Sequence, residues 1–281
     1  MEIIRDIPGL RHYIEQLKTE KKSIGFVPTM GALHNGHLEL IRKSGQQNDL
    51  TICSIFVNPT QFNNPSDLKN YPRESTKDLA LLEEINCHAV FMPSVKIMYE
   101  ENYSINLDFG YLEKIMEGKF RPGHFKGVGL IVTKLFNLIQ PNKAYFGRKD
   151  LQQLTLIKTL VKELFFDIEI VAVDTIREKD GLAMSSRNNL LTKQERKKAT
   201  DLFRALLEAK QKLNNGESVI TVKHFIKEYF TLKSSIVLEY FEIIHTSNFK
   251  NVTEIHEKSN VSLCIAGYLG KVRLIDNISL I

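Results

Sequence analysis

Along the first 175 or so residues, short runs of strand character alternate with stretches whose apolar positions recur every three or four. The runs at 24–27, 50–57, 89–92, 143–146 and 168–173 are bounded by polar or turn-forming residues, and each predicts a buried strand. Between them, helices are expected over 38–47, 74–85, 128–139 and 150–165. In the last of these Leu151, Leu154, Val161 and Leu164 fall on one face. Strands separated by helices predict a parallel sheet covered on both faces. In such sheets ligands sit beyond the carboxyl ends of the strands, where the connecting loops begin.

After Asp174 the pattern changes. Residues 175–189 are polar and carry the turn signal Asp180-Gly181. A long amphipathic helix follows, with Ala199, Leu202, Phe203, Leu206 and Leu213 on its apolar face, and Asn214-Asn215-Gly216 closes it as a left-handed cap. A second helix is expected over 218–231. The segments 236–245, 262–266 and 271–275 then read as strands without long helices between them, which favours antiparallel pairing. The expectation is an α/β chain of two domains, a parallel-sheet domain over 1–176 and a smaller α+β domain over 177–281.

Composition narrows the class without naming a function. The 281 residues are 43% hydrophobic and 25% charged, ordinary for a globular enzyme. No apolar run approaches the roughly 20 residues of a membrane helix. Met1-Glu2-Ile3-Ile4-Arg5-Asp6 has no apolar signal core, so no export and a cytoplasmic setting are expected. Cys53, Cys87 and Cys264 are odd in number, widely spaced and set in apolar runs, and read as reduced core residues. The formal charge of +5 is spread thinly; its densest run, Arg196-Lys197-Lys198, reads as a solvated helix face. Polyanionic small-molecule substrates fit this bias, and neither a nucleic acid nor a membrane is expected as partner.

The chemistry concentrates after the first predicted strand, in Gly31-Ala32-Leu33-His34-Asn35-Gly36-His37-Leu38. Its glycine spacing is that of a phosphate loop. That loop, however, needs Lys and then Ser or Thr after its last glycine, where this chain has His37 and Leu38. A strand–turn–helix start still directs backbone N–H groups and a positive dipole end at a ligand. Two histidines three apart share a face of the first turn and can donate hydrogen bonds to phosphate oxygens, more strongly if protonated; merely capping and packing is the commoner case for an arbitrary pair. A metal is the weaker reading, because no third ligand stands at sensible spacing and the zincin Glu is missing. No metal ligand is therefore assigned.

Four other stretches bear on the same crevice. Phe56-Val57-Asn58-Pro59-Thr60-Gln61-Phe62 ends the second strand in an amide-rich loop; Asn58 and Gln61 both donate and accept, suiting a ligand with hydroxyls and a carboxylate, though such residues are also ordinary in loops. Arg121-Pro122-Gly123-His124-Phe125 is either a substrate-facing loop or a helix lead-in. Phe146-Gly147-Arg148-Lys149-Asp150 ends the fourth strand with two cations and an N-cap candidate, and Gln153 follows three residues later. Ala183-Met184-Ser185-Ser186-Arg187-Asn188 offers two hydroxyls and a guanidinium, the makings of a phosphate clamp, at a joint whose loop can close over a ligand, although by itself Ser-Ser-Arg reads more readily as a surface turn.

Taken in order, these stretches, with Tyr71-Pro72-Arg73 and Asp180-Gly181-Leu182, closely resemble the pantothenate synthetase (pantoate–β-alanine ligase) family, within the His-x-Gly-His nucleotidyltransferase superfamily. The resemblance runs from residue 24 to about 190; the C-terminal third matches mainly in length and character. It implies a Rossmann-like first domain, a homodimer, and ATP with Mg2+. It also implies two half-reactions, adenylation of pantoate and then attack by β-alanine with release of AMP. Carried over residue by residue, it gives catalytic roles to His34, His37, Lys149 and Arg187. The ATP-binding set is Met30, Gly31, Ala32, Leu33, His34, Asn35, Gly36, His37, Gly147, Arg148, Lys149, Asp150, Ile176, Met184, Ser185, Ser186 and Arg187. Pantoate falls to Asn58, Gln61 and Gln153, and β-alanine to Gln61. Arg148 occupies a variable family position, and Asp174 stands where relatives often have Pro. The alternative within the superfamily is a nucleotidyltransferase that stops at a nucleotide-linked product.

Overall fold

The computed structural model describes residues 1–99 and 104–281. Two compact units form: Met1–Arg148 with Gln152–Asp174, and Lys149–Leu151 with Thr175–Ile281.

The first unit is built on six strands: β1 (Glu2–Ile4), β2 (Ile24–Thr29), β3 (Leu50–Ile55), β4 (Ala89–Phe91), β5 (Lys143–Gly147) and β6 (Glu169–Val173). They lie in the order β1-β4-β3-β2-β5-β6, and every pairing is parallel. The chain winds outward from β2 through β3 to β4, then returns to lay β5 against the other side of β2. The order therefore reverses between β2 and β5, and the crevice beyond their carboxyl ends is the place such sheets reserve for ligands. The helices are α1 (Ile7–Thr19), α2 (Asn35–Gln47), α3 (Pro65–Asn70), α4 (Ser75–Glu84), α5 (Val95–Met98), α6 (Met116–Phe120), α7 (His124–Ile139) and α8 (Leu151–Glu163).

Strand alternation decides which helix covers which face. Val27 and Tyr145 pack into a core with Leu40 and Ile41 of α2 and Leu82 of α4. Their neighbours Phe26 and Phe146 point the other way, meeting Phe136 of α7 edge-on at 6.3 and 6.4 Å.

The second unit packs α10 (Asp201–Asn214) and α11 (Val219–Leu232) on an antiparallel sheet of β7 (Val237–His245), β8 (Val261–Leu269) and β9 (Val272–Ser279). Leu202, Leu206, Val222 and Ile226 meet Ile243, Leu263 and Ile265 there.

The α/β class is as expected, and three details differ. β1, α1 and the short helices α3, α5 and α6 were not predicted. Helix α7 starts at His124, four residues before its apolar repeat begins, because Gly123 sits at φ +80° just ahead of it and turns the chain. The expected single helix before Asn214 is two, α9 (Lys193–Lys198) and α10.

Candidate active site

The turn from β2 into α2 is held from inside. Gly31 and Ala32 both lie in the left-handed region, at φ +81° and +50°, a conformation that taxes the alanine. The Gly31 N–H donates to Thr29 Oγ1 at 3.2 Å. Asp78 of α4 accepts the next two amides, Ala32 at 2.9 Å and Leu33 at 2.7 Å. The carboxylate is 1% exposed, and burial pushes it above its ordinary range against the downward pull of the two amides. Sequence reasoning missed Asp78, because nothing near it in the chain marks an acid that must find amides 45 residues away.

Helix α2 opens with a reciprocal cap made of two histidines. His34 Nδ1 accepts the Gly36 N–H at 3.1 Å, and the His34 N–H donates to His37 Nδ1 at 3.4 Å. The two rings stack with centroids 4.0 Å apart, tilted by 31°. A ring nitrogen that accepts carries no hydrogen, so both imidazoles hold theirs on Nε2. Two expectations change here. The amides of Gly31 through His34 are all engaged within the protein, so the side chains, not this stretch of backbone N–H groups, are what the turn offers an anion. Protonation of either ring would put a hydrogen on Nδ1 and break the cap, so the donor the geometry supplies is the Nε2–H of a neutral ring.

The loop after β3 is equally determined. Asn58 is 1% exposed and its amide is fully engaged. Its Oδ1 accepts from Tyr99 at 2.8 Å and Thr60 at 3.0 Å; its Nδ2 donates to Gln61 Oε1 at 3.1 Å and Gly127 O at 3.0 Å. Both amide hydrogens of Asn58 and its oxygen are thus held by the protein, one hydrogen on Gln61. Gln61 Nε2 in turn lies 3.2 Å from Met30 Sδ, which brings two predicted site residues together. Gln153 stands in the first turn of α8, beside Gln152. Arg148 pairs with Asp174 at 2.9 Å.

In the second unit Lys149 Nζ lies 3.7 Å from Asp150, and its carbonyl accepts from Asn277 Nδ2 at 2.8 Å. The Met184 N–H donates to the Ile176 carbonyl at 3.0 Å, joining two residues of the expected ATP-binding set. Ser185 caps the turn Ser186–Leu190 by accepting the Arg187 N–H at 3.3 Å. Around them Arg177 grips Asp276 at 2.6 and 2.9 Å and lies 3.9 Å over the Phe203 ring. Burial drives the Asp276 carboxyl up while Arg177 pulls it back. Arg196 holds Asp180 at 2.7 Å, and this lowers the Asp180 carboxyl. The loop that carries Ser185, Ser186 and Arg187 is thus pinned at both ends by ion pairs.

Among the described residues no group of three or more His, Cys, Asp or Glu gathers where a metal could be held. Among the described residues no helix is long and apolar enough to cross a membrane.

Comparison with known proteins places this geometry. The family described as Pantoate-beta-alanine ligase matches residues 2–279. A pantothenate synthetase of Caldicellulosiruptor bescii is 46% identical over 279 residues, covering 99% of this chain and 98% of its own. One of Cytophaga hutchinsonii is 43% identical, with 99% of each covered. The crystal structure of pantothenate synthetase from Thermus thermophilus superposes with a TM-score of 0.93 at 38% identity, over 100% of this chain and 99% of that one. The pantoate-beta-alanine ligase of Francisella tularensis, complexed with beta-gamma ATP and beta-alanine, gives 0.82 at 35% identity, over 100% and 98%.

Proposed function

The chain belongs to the pantoate–β-alanine ligase family and forms pantothenate, and we propose that it does so in two steps through a pantoyl adenylate. The observation that carries this reading is the reciprocal histidine cap at the carboxyl end of the central strand, which fixes two Nε2–H donors. In the first step a pantoate carboxylate oxygen bonds to the α-phosphorus of ATP as the bond to pyrophosphate breaks. Negative charge grows on the α-phosphoryl and leaving oxygens, and fixed donors there stabilise the transition state more than the ground state. His34 and His37 take the α-phosphate, Lys149 and Arg187 the phosphate charges, and Ser185 and Ser186 hold phosphate oxygens. In the second step the β-alanine amine bonds to the activated carbonyl carbon. The bond to the phosphate oxygen breaks, AMP leaves, and the nitrogen loses a proton.

Gln61 and Gln153 meet pantoate, with Gln61 also meeting β-alanine, and Asn58 acts through Gln61. Gly147, Asp150, Ile176 and Met184 frame the adenosine. With the amides of Gly31, Ala32 and Leu33 engaged, that turn meets ATP through its carbonyls and its surface. Magnesium would ride on the nucleotide's own phosphate oxygens, as Mg2+ commonly does, and neutralise their charge; no step above needs a protein ligand to it. The resemblance further supports a homodimer, and three free, buried cysteines support a reducing, cytoplasmic setting.

Pantoate labelled with 18O in its carboxylate tests the mechanism. An acyl adenylate passes one labelled oxygen to AMP; AMP free of label would exclude that intermediate.

A further inference from the structure

The Arg-Pro-Gly-His-Phe stretch has no task in the mechanism above, yet its histidine is among the most tightly bound side chains near Gln61. His124 is 5% exposed in the first turn of α7. Its Nδ1 lies 2.8 Å from the Gln61 carbonyl oxygen, and its Nε2 lies 3.0 Å from an Arg121 guanidinium nitrogen. A carbonyl only accepts and a guanidinium only donates, so both neighbours demand the same ring, with hydrogen on Nδ1 and a lone pair on Nε2. That is the opposite tautomer to His34 and His37. Arg121 is steadied by Glu117 at 3.4 Å, and the Glu117 backbone N–H donates to Gln152 Oε1 at 3.0 Å. Gln152, 3% exposed, also donates to the carbonyls of Leu112 and Ile115 at 2.8 and 3.1 Å. A continuous frame therefore runs from Gln61 through His124, Arg121 and Glu117 to Gln152, whose neighbour in the chain is Gln153.

The same turn is seated against α7 in two further ways. Asn58 donates to the Gly127 carbonyl. A Cβ on Gly127 would lie 2.5 Å from the Thr60 carbonyl and 2.6 Å from the Gln61 nitrogen, so the glycine is what lets helix and turn meet.

We propose that His124 is a positioning residue for the hydroxy-acid substrate: by holding the Gln61 carbonyl, and through Arg121 and Glu117 the start of α8, it fixes the spacing between Gln61 and Gln153. This rests on the reading that these two glutamines bind pantoate. The frame runs apart from the histidine cap and from Asp78, so its effect falls on the substrates that Gln61 meets and spares ATP.

Steady-state kinetics with pantoate and ATP varied separately test this, using His124→Leu, His124→Asn, Gly127→Ala and Gln61→Ala. In His124→Asn the amide nitrogen sits close to the place of Nδ1 and keeps the donor to Gln61. The expected result is a rise of about tenfold or more in KM for pantoate in His124→Leu, partial rescue in His124→Asn, and KM for ATP within about twofold throughout. Gly127→Ala, which displaces the turn without touching the imidazole, should show the same selective loss. Equal losses for both substrates, or no loss for pantoate, would overturn the proposal. If His124→Leu does not fold, His124→Asn and Gly127→Ala decide: an unchanged KM for pantoate in the glycine variant, or an ATP defect in either, refutes it. Gln61→Ala separates the two layers. An unchanged KM for pantoate there removes the glutamine reading itself, whereas a raised one beside a normal His124→Leu removes only the role of His124.

Discussion

His34 performs two tasks that one substitution can separate. Its Nδ1 accepts the Gly36 amide at the start of α2, and its Nε2–H is the donor assigned to the α-phosphate. Asparagine is among the best N-caps and puts an acceptor close to where Nδ1 sits, so His34→Asn keeps the cap and loses the outward donor. His34→Ala loses both. The contact from the His34 main-chain N–H to His37 survives in either variant, so the second ring keeps its anchor. Losing a cap costs about 1 kcal/mol, which in a chain of this size lowers Tm by about 2–4 °C. Losing a donor aimed at developing charge costs about 10²–10³ in rate, or roughly 2.7–4 kcal/mol of transition-state stabilisation. Differential scanning calorimetry and single-turnover pyrophosphate release read the two quantities. The Asn variant should melt within about 1 °C of the parent and the Ala variant about 2–4 °C lower, while both form adenylate about 10²–10³ more slowly. An Asn variant that keeps its rate within about threefold would remove Nε2–H from the chemistry. One that melts as low as the Ala variant would show that Nδ1 does not sustain the helix start.

Three further outcomes follow from the same contacts. Asp78→Asn keeps one acceptor and turns an NH2 toward the other amide; it should cost about 1–3 kcal/mol in urea denaturation and weaken ATP binding, and a variant of parental stability and affinity contradicts the clamp. Burial pushes the Cys87 thiol up to about 11 and drives the Cys53 thiol well above its ordinary range, so neither should react with a disulfide reagent at pH 8 until urea unfolds the first unit; prompt labelling of either in the native protein would refute it. Arg196 holds the Asp180 carboxyl below its ordinary 3.8, so its stabilisation is present above that pH and fades as pH falls further. The unfolding midpoints of Asp180→Asn and parent should therefore differ at neutral pH and converge in acid; a gap constant with pH would mean that the ion pair is not its source.

What could be read in advance was whatever is written locally. The strands at the heart of the sheet announce themselves because β2 and β3 are apolar on both faces, and the helix after β2 because a glycine turn and two histidines sit together. β1 escaped because three residues carry no period, and their pairing with β4 depends on a strand more than 80 residues away. Helix α7 was placed late because its first turn is set by the backbone of Gly123, not by apolar spacing. The site divided in the same way. His34, His37 and Gln61 were recognisable by type and place. Asp78 was not, and His124 stood between two readings, since each serves main-chain groups far along the chain. Asn58 was legible only as an amide in its loop; two of its four hydrogen-bond partners, Tyr99 and Gly127, lie far along the chain.

On this mechanism pantoate is adenylated before the amine takes part. Enzyme mixed with ATP, Mg2+ and pantoate, with β-alanine omitted, and quenched on the millisecond scale should release about one equivalent of pyrophosphate per site and then stop. Pyrophosphate that appears only after β-alanine is added would contradict the stepwise account and call for a concerted reaction at the same residues.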